Sequence, residues 1–246
     1  MNEDTVIKLE NVSLKFRLQK EKSSSLKEFA IKLLSKKVSY INFYAIKNIN
    51  LEIKKGESIG IIGRNGAGKT TLLRIIAGVY KPTEGKVFVK GKIMPIIELG
   101  AGFDMELTGA ENIFINGLLL GMTRKEIEEK YEEIVEFSGL KDFINSPLRT
   151  YSSGMILRLG FSVATSLEPD IILLDEVFAV GDAEFREKCI KRMNEMKEKS
   201  ATLLFVSHDM NAIKENCKKV IMLEKGEIKN VGDVNKIIEN YNKIEK

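Results

Sequence analysis

One run of eight residues limits what this chain can fold into more than any other. Gly63-Arg64-Asn65-Gly66-Ala67-Gly68-Lys69-Thr70 has the spacing G-x-x-x-x-G-K-[ST]. Glycines in such a run let backbone N–H groups curl around phosphate oxygens, and the helix that follows points its N-terminus at the anion. The run stands between Ser58 to Ile62, read as an apolar strand, and Thr71 to Ala77, read as a helix. That order makes a strand–loop–helix phosphate cradle. Lys69 is then placed to reach the β and γ phosphates and Thr70 to ligate Mg²⁺, with Thr71 next to them at the head of the helix.

The rest of the chain must supply a sheet for that cradle. Val6 to Phe16 and Ala45 to Ile53 read as strands, the second closing at the turn Lys55-Gly56, and Gly85 to Val89 and Lys92 to Ile97 are strand-like again. After Thr108 the period changes. Glu111 to Leu120, Arg124 to Ser138 and Ser153 to Ser166 have helical spacing, with turns at Gly121, Gly139 and Ser146-Pro147. They predict an inserted α-helical subdomain over about residues 104–168. Ile171 to Leu174, Thr202 to Val206 and Val220 to Leu223 are short apolar runs separated by helical segments, the pattern of a parallel sheet covered on both faces. Leu223 to Gly232 reads as a hairpin turning at Lys225-Gly226, and a last helix begins at Asp233.

Composition excludes several function classes. The 246 residues are 43% apolar and 30% charged, as in an ordinary globular protein. No apolar run exceeds four residues, whereas a membrane span needs about 20. The first five residues lack the basic start and apolar centre of a signal peptide, so the chain is expected to stay in the cytoplasm. Cys189 and Cys217 have neither a zinc spacing nor a disulfide framework around them and are expected to be idle reduced thiols. The net charge is +4, but residues 15–37 hold eight bases against two acids, a local +6. One basic stretch is not the basic face that nucleic acid requires. Over about residues 18–43 the chain reads as a basic amphipathic insertion: Ser23-Ser24-Ser25 can cap a helix with Leu26, Phe29, Leu33 and Val38 on one side and lysines opposite. It is either a docking element for a membrane subunit or acidic headgroups, or a solvated helix packed on its own domain.

A phosphate cradle alone leaves kinases, GTPases and motor ATPases open. Ile171-Ile172-Leu173-Leu174-Asp175-Glu176 narrows the choice, because a buried strand delivers Asp175 to the metal through water and the next carboxylate, Glu176, to a water that attacks phosphorus. The single histidine, His208, follows another apolar strand, Leu203 to Val206. In a parallel sheet ligands gather at the carboxyl ends of the strands, where Gly63, Glu176 and His208 all fall.

Tyr151-Ser152-Ser153-Gly154-Met155 stands before a helix, about 20 residues upstream of the acidic pair. With it the sequence resembles the ATP-binding-cassette family, whose LSGGQ signature occupies that place. Ser152 and Gly154 fall on the family's serine and second glycine, while Ser153 and Met155 depart from it. The resemblance covers about residues 5–232 and implies a P-loop NTPase core of α/β class. Its parts are a mixed and parallel sheet, an N-terminal antiparallel β part and the inserted helical subdomain, in a single domain over residues 1–246 with no C-terminal carbohydrate-binding domain. It implies roles too: Walker A at Gly63–Thr70 and Walker B at Asp175, Glu176 and His208 as catalytic groups, His208 meeting the γ-phosphate, and Ser152, Ser153, Gly154 and Asp182 at the dimer seam. Phe16 or Tyr44 stacks on adenine, Phe16 being preferred, with the other ring as core or a second wall. The family's glutamine ahead of the helical subdomain is absent, and Glu98 is the candidate for its metal or water contact.

Within the family, Glu98 to Phe103, Glu106 to Ile113, Asp175 to Asp182 and the signature are similar to those of polysaccharide exporters. That branch implies an ATPase using ATP and Mg²⁺, working as a homodimer of nucleotide-binding subunits against a polytopic permease at the cytoplasmic face of the membrane. The transported substrate is a lipid-linked polysaccharide such as O antigen, capsule or teichoic acid. The alternatives are a soluble cassette ATPase acting on nucleic acid or the ribosome, and an ATP-binding regulatory subunit that does not hydrolyse.

Overall fold

The computed structural model describes residues 4–19, 40–175, 182–199 and 201–244. Two sheets carry the fold. Strand β1 (Thr5–Gln19) lies between β2 (Tyr40–Lys54) and β4 (Glu84–Val89), antiparallel to both. The second sheet runs β5 (Ile93–Pro95), β6 (Ile171–Leu174), β7 (Thr202–Val206), β3 (Ser58–Ile62), β8 (Lys219–Glu224), β9 (Glu227–Asp233). Its first five strands are parallel and β9 pairs antiparallel with β8.

Strand alternation explains how this sheet is covered on both faces. Ile172 and Leu174, Leu203 and Phe205, Val220 and Met222 point to one side. There they meet helices α4 (Ser153–Ser166), α5 (Ala183–Glu198) and α7 (Val234–Ile244) through Phe161, Phe185, Met193 and Ile238. Ile171 and Leu173, Leu204 and Val206, Ile221 and Leu223 point to the other side, toward helix α1 (Lys69–Ile76) and the apolar face of β1 and β2. With both faces buried, the central strands read as continuous apolar runs.

The helical subdomain has its own core. Helices α2 (Gly109–Leu119) and α3 (Arg124–Ser138) pack Ile113, Ile127 and Ile134 against Leu159 and Val163 of α4. Since Phe161 and Ala164 of that same helix enter the sheet's core, α4 is buried on two sides and ties the subdomain to the sheet. Capping boxes start α2 and α3, Thr108 with Glu111 and Thr123 with Glu126. The first of these moves the start of α2 to Gly109, two residues before the periodicity alone places it.

Three more expectations shift. Helix α1 begins at Lys69 and not Thr71. The strand expected over Lys92 to Ile97 is only Ile93–Pro95, followed by a 3-10 turn at Ile96–Glu98. Pro95 has no N–H for the ladder, which suits a short edge strand. Strands β1 and β2 also reach into the stretch assigned to the basic insertion: residues 18–19 and 40–43 are paired strand, Leu18 opposite Ile41 and Gln19 opposite Tyr40. The capped amphipathic helix expected between them lies outside the described residues. Cys189 and Cys217 are unbonded and buried, and burial pushes both thiols up to about 12, consistent with inert groups. No helix among the described residues is long and apolar enough to cross a membrane.

Candidate active site

Strand β3 is buried along nearly all its length and turns at its carboxyl end into the loop Gly63–Gly68. Gly68 closes the loop in the left-handed region, at φ 103°, and a Cβ there would stand 2.7 Å from the Ala45 carbonyl oxygen of β2. Only glycine permits that approach. Lys69, 7% exposed, folds back across the loop, and its ammonium donates to the carbonyls of Gly63 at 2.7 Å and Arg64 at 3.2 Å. The buried charge is thus hydrogen-bonded on the inner side of the loop. Its Nζ also lies 3.5 Å from Nε2 of His208.

Two neighbouring strands complete the cluster. Strand β6, all four residues buried, is followed by Asp175, whose Oδ2 accepts from Thr70 Oγ1 at 2.6 Å. Strand β7, equally buried, is followed by Ser207 and His208. Asp209 caps the short helix α6 (Met210–Asn216) by accepting from the Asn211 and Ala212 N–H groups, which fixes the chain just after the histidine. Lys69, Thr70, Asp175 and His208 therefore converge from three adjacent strand ends, in the order β6, β7, β3. A hydroxyl and a carboxylate 2.6 Å apart are a donor set for a hard divalent cation, and a lysine ringed by backbone groups at a helix start is a site for phosphate. A cavity of about 680 Å³ opens over the loop, bounded by Arg64, Gly66, His208, Lys225 and Tyr241.

Other expected site residues lie apart from this cluster. Ser152 is the N-cap of α4, its Oγ accepting from the Met155 N–H at 3.2 Å, and Ser152 and Ser153 are exposed. Among the described residues no hydrogen bond joins Ser152, Ser153 or Gly154 to the phosphate loop. Asp182 caps α5 through the Phe185 N–H at 3.0 Å, and that bond, with Arg158, holds its carboxyl below the ordinary value. Glu176 lies outside the described residues. Glu98 ends the 3-10 turn just past β5, next to the strand that delivers Asp175, and its side chain is outside the described residues.

The two candidate rings do not share a slot. Phe16 pairs with Phe43 and Tyr44 with Lys15, so the rings stand on opposite faces of the β1–β2 ribbon. Both rings are 37% exposed, but the Lys15 ammonium sits 4.8 Å over the Tyr44 ring, whereas Phe16 is held edge-on by Tyr80 at 5.8 Å. Tyr44, expected as core or a second wall, is neither buried nor on the face that carries Phe16.

Arg158 was not foreseen. It lies on α4 six residues beyond Ser152, pairs with Asp182 and stacks over Phe185 at 5.1 Å. One basic residue on an otherwise apolar and small-residue helix was its only signal in the sequence.

Residues 46–179 match the family described as ABC transporter. Over 240 residues the chain is 45% identical to the O-antigen export system ATP-binding protein RfbB of Klebsiella pneumoniae, covering 97% of this chain and 98% of that one. It is 41% identical to the teichoic acids export ATP-binding protein TagH of Bacillus cereus (strain ZK / E33L), over 96% of this chain and 42% of that one. Among solved structures, a dimeric ATP-binding cassette in a post-hydrolysis state, bound to ADP and phosphate, superposes with a TM-score of 0.68 at 25% identity over 93% of this chain and 98% of that chain.

Proposed function

The chain belongs to the ABC transporter family, and from that premise we propose that it is the ATP-hydrolysing, nucleotide-binding subunit that powers export of a lipid-linked polysaccharide through a separate membrane permease. Relatives named for O-antigen and teichoic acid export support the substrate class. The observation that carries the ATPase reading is the convergence of Lys69, Thr70, Asp175 and His208 at adjacent strand ends. The chain is read as one ATPase domain over residues 1–246, with the helical subdomain at about 104–168.

Backbone N–H groups of Gly63 to Thr71 and the Lys69 ammonium hold the phosphates. Thr70 and Asp175, with Glu98 as a further candidate, would hold Mg²⁺, which would supply positive charge to offset the negative charge of the phosphates. Phe16 stacks on adenine, since the two rings are equally exposed and the face of Tyr44 is covered by an ammonium group. Glu176 accepts a proton from the attacking water, and His208, beside Lys69, donates to the γ-phosphate. Ser152 and Ser153, exposed at the N-terminus of α4, and the half-buried Gly154 supply donors to the site of a second copy, with Asp182 at the seam. The working unit is a homodimer, peripheral to the membrane through its permease. Closure surrounds the phosphoryl group with donors and excludes water, and hydrolysis reopens the pair.

Glu176→Gln tests the assignment. We expect ATP binding to persist, turnover to fall by about a hundredfold or more, and ATP to drive the variant into a dimer seen by sedimentation. Turnover at the normal rate would overturn the role of Glu176. A variant that remains monomeric with ATP, alone and with its permease, would overturn the composite site.

A further inference from the structure

The hairpin turn between β8 and β9 touches both halves of the nucleotide site. Its second residue, Gly226, donates its N–H to the Ala67 carbonyl in the phosphate loop at 2.9 Å, and its own carbonyl accepts from the Lys47 N–H in β2 at 2.8 Å. A single residue thereby bridges the phosphate cradle and the β1–β2 ribbon that carries Phe16 and Tyr44. Nothing larger than glycine fits. A Cβ on Gly226 would stand 2.8 Å from the Ala45 carbonyl oxygen and 3.2 Å from the Ile46 Cα. Both neighbours are backbone, so neither can rotate away. Gly226 at φ 81° and Lys225 at φ 50° occupy the two left-handed positions of a tight hairpin turn, whose shape is fixed by the strands on either side.

On the ribbon side the contact falls at an irregularity. Leu14 pairs with Ile46 while Lys15 pairs with Tyr44, leaving Ala45 as the extra residue of a bulge. Bulges re-aim the side chains beyond them, and here the residues beyond are Tyr44 and Phe43, the latter opposite Phe16. A second tie joins the same elements. Lys47 Nζ donates to Glu227 Oε1 at 2.8 Å and Lys229 Nζ to Oε2 at 3.0 Å. The two ammonium groups hold the Glu227 carboxyl down at about 2, so the tie persists through the neutral range.

We propose that this turn is a strut setting the offset between the phosphate cradle and the base-stacking ribbon, and that Gly226 is a positioning residue for the adenine moiety of ATP. The proposal rests on the reading of the β1–β2 ribbon as the base wall. Backbone donors in the loop hold any triphosphate equally, so the base contributes only if the ribbon stands at the right distance when the phosphates are seated. A displacement of about 1 Å in such an arrangement is costly, and Gly226 contacts both bodies whose separation matters.

The test separates the base from the phosphates by comparing ATP with inorganic tripolyphosphate on the full chain. Gly226→Ala is expected to raise KM for ATP about tenfold, to leave kcat within about twofold, and to leave the inhibition constant of tripolyphosphate unchanged. Lys47→Met breaks only the side-chain tie, on an exposed surface where folding is not at stake, and is expected to raise KM about threefold with the same pattern. The proposal is overturned if folded Gly226→Ala keeps its KM, or if the tripolyphosphate constant rises in step with it, since the turn would then support the phosphate loop alone. Should Gly226→Ala not fold, Lys47→Met decides by the same two readouts, and an unchanged KM there overturns the strut. Phe16→Ala and Tyr44→Ala run in parallel. If neither raises KM for ATP, the base-wall reading has failed and the strut falls with it. If one does while the turn variants do not, only the strut has failed.

Discussion

The phosphate loop and the head of α4 both set backbone N–H groups at the start of a helix, and they are finished to different degrees. At the loop, Lys69 already meets His208 and Thr70 already meets Asp175 across three strand ends, and the lysine is buried. At α4, Ser152 satisfies the helix end and little else, and Ser153 beside it is exposed. The loop cluster is the half of a site that one chain assembles by itself, with its lysine buried and its side chains bonded in pairs. An exposed cap on a helix buried along two of its sides is a rigid donor aimed outward, and it gains a function only when another surface meets it.

The largest effect should come from breaking the finished half. Lys69→Ala removes the ammonium that folds across the phosphate loop, and we expect ATPase activity to fall by about a thousandfold, with ATP binding lost in an equilibrium titration. Binding at the normal affinity would show that the loop's N–H groups suffice without it.

Gly154→Asp attacks the other half. A carboxylate at the head of α4 opposes any phosphate brought there, so hydrolysis should fall by about a hundredfold while one chain still binds ATP. Mixing the two inactive variants sharpens the contrast. In a mixed dimer one composite site carries both lesions and the other neither, so an equimolar mixture should recover about a quarter of the activity per chain if a single intact site turns over. No recovery in a mixture shown to contain mixed dimers would mean that the α4 head acts within its own chain or that one intact site does not turn over alone.

What the sequence revealed follows the same division. Lys69 and Thr70 are legible because their motif is contiguous, and Asp175 and His208 because a fully buried strand announces itself as an apolar run. The placing of Ser152 is legible as a helix cap, but its orientation depends on how Phe161 and Leu159 of α4 divide between two cores. The extension of β1 and β2 stayed hidden because Arg17 and Lys15 alternate with Phe16 and Leu18, a strand pattern read as part of a basic stretch. The Gly226 contacts were beyond reach for a different reason. A Lys-Gly turn announces a hairpin, but nothing local says that Lys47, 180 positions before Glu227, closes on it.

The smallest expected effect concerns the stiffness of the body that presents α4. Helix α3 starts with a capping box in which the Thr123 N–H and hydroxyl both donate to Glu126 Oε2, at 2.7 and 2.8 Å. Those donors hold the carboxyl down to about 2 from an ordinary 4.5. A carboxylate lowered in the folded state contributes stability that is fully present above its unfolded pKa and is lost as pH falls through the folded one. The advantage of the native chain over Glu126→Gln in thermal midpoint should thus be a few °C at most near neutrality, and should shrink as pH drops from about 5 toward about 2. ATPase activity near neutral pH should stay within about twofold of normal, because Glu126 is far along the chain from Ser152 and touches no group in the phosphate cluster. A gap in midpoint that does not vary with pH would assign the stabilisation to the shape of the side chain and not to its charge. A loss of activity out of proportion to the midpoint would mean instead that the N-terminus of α3 helps to aim α4, so that the outward-facing half of the site is tuned by the whole helical subdomain and not by one helix.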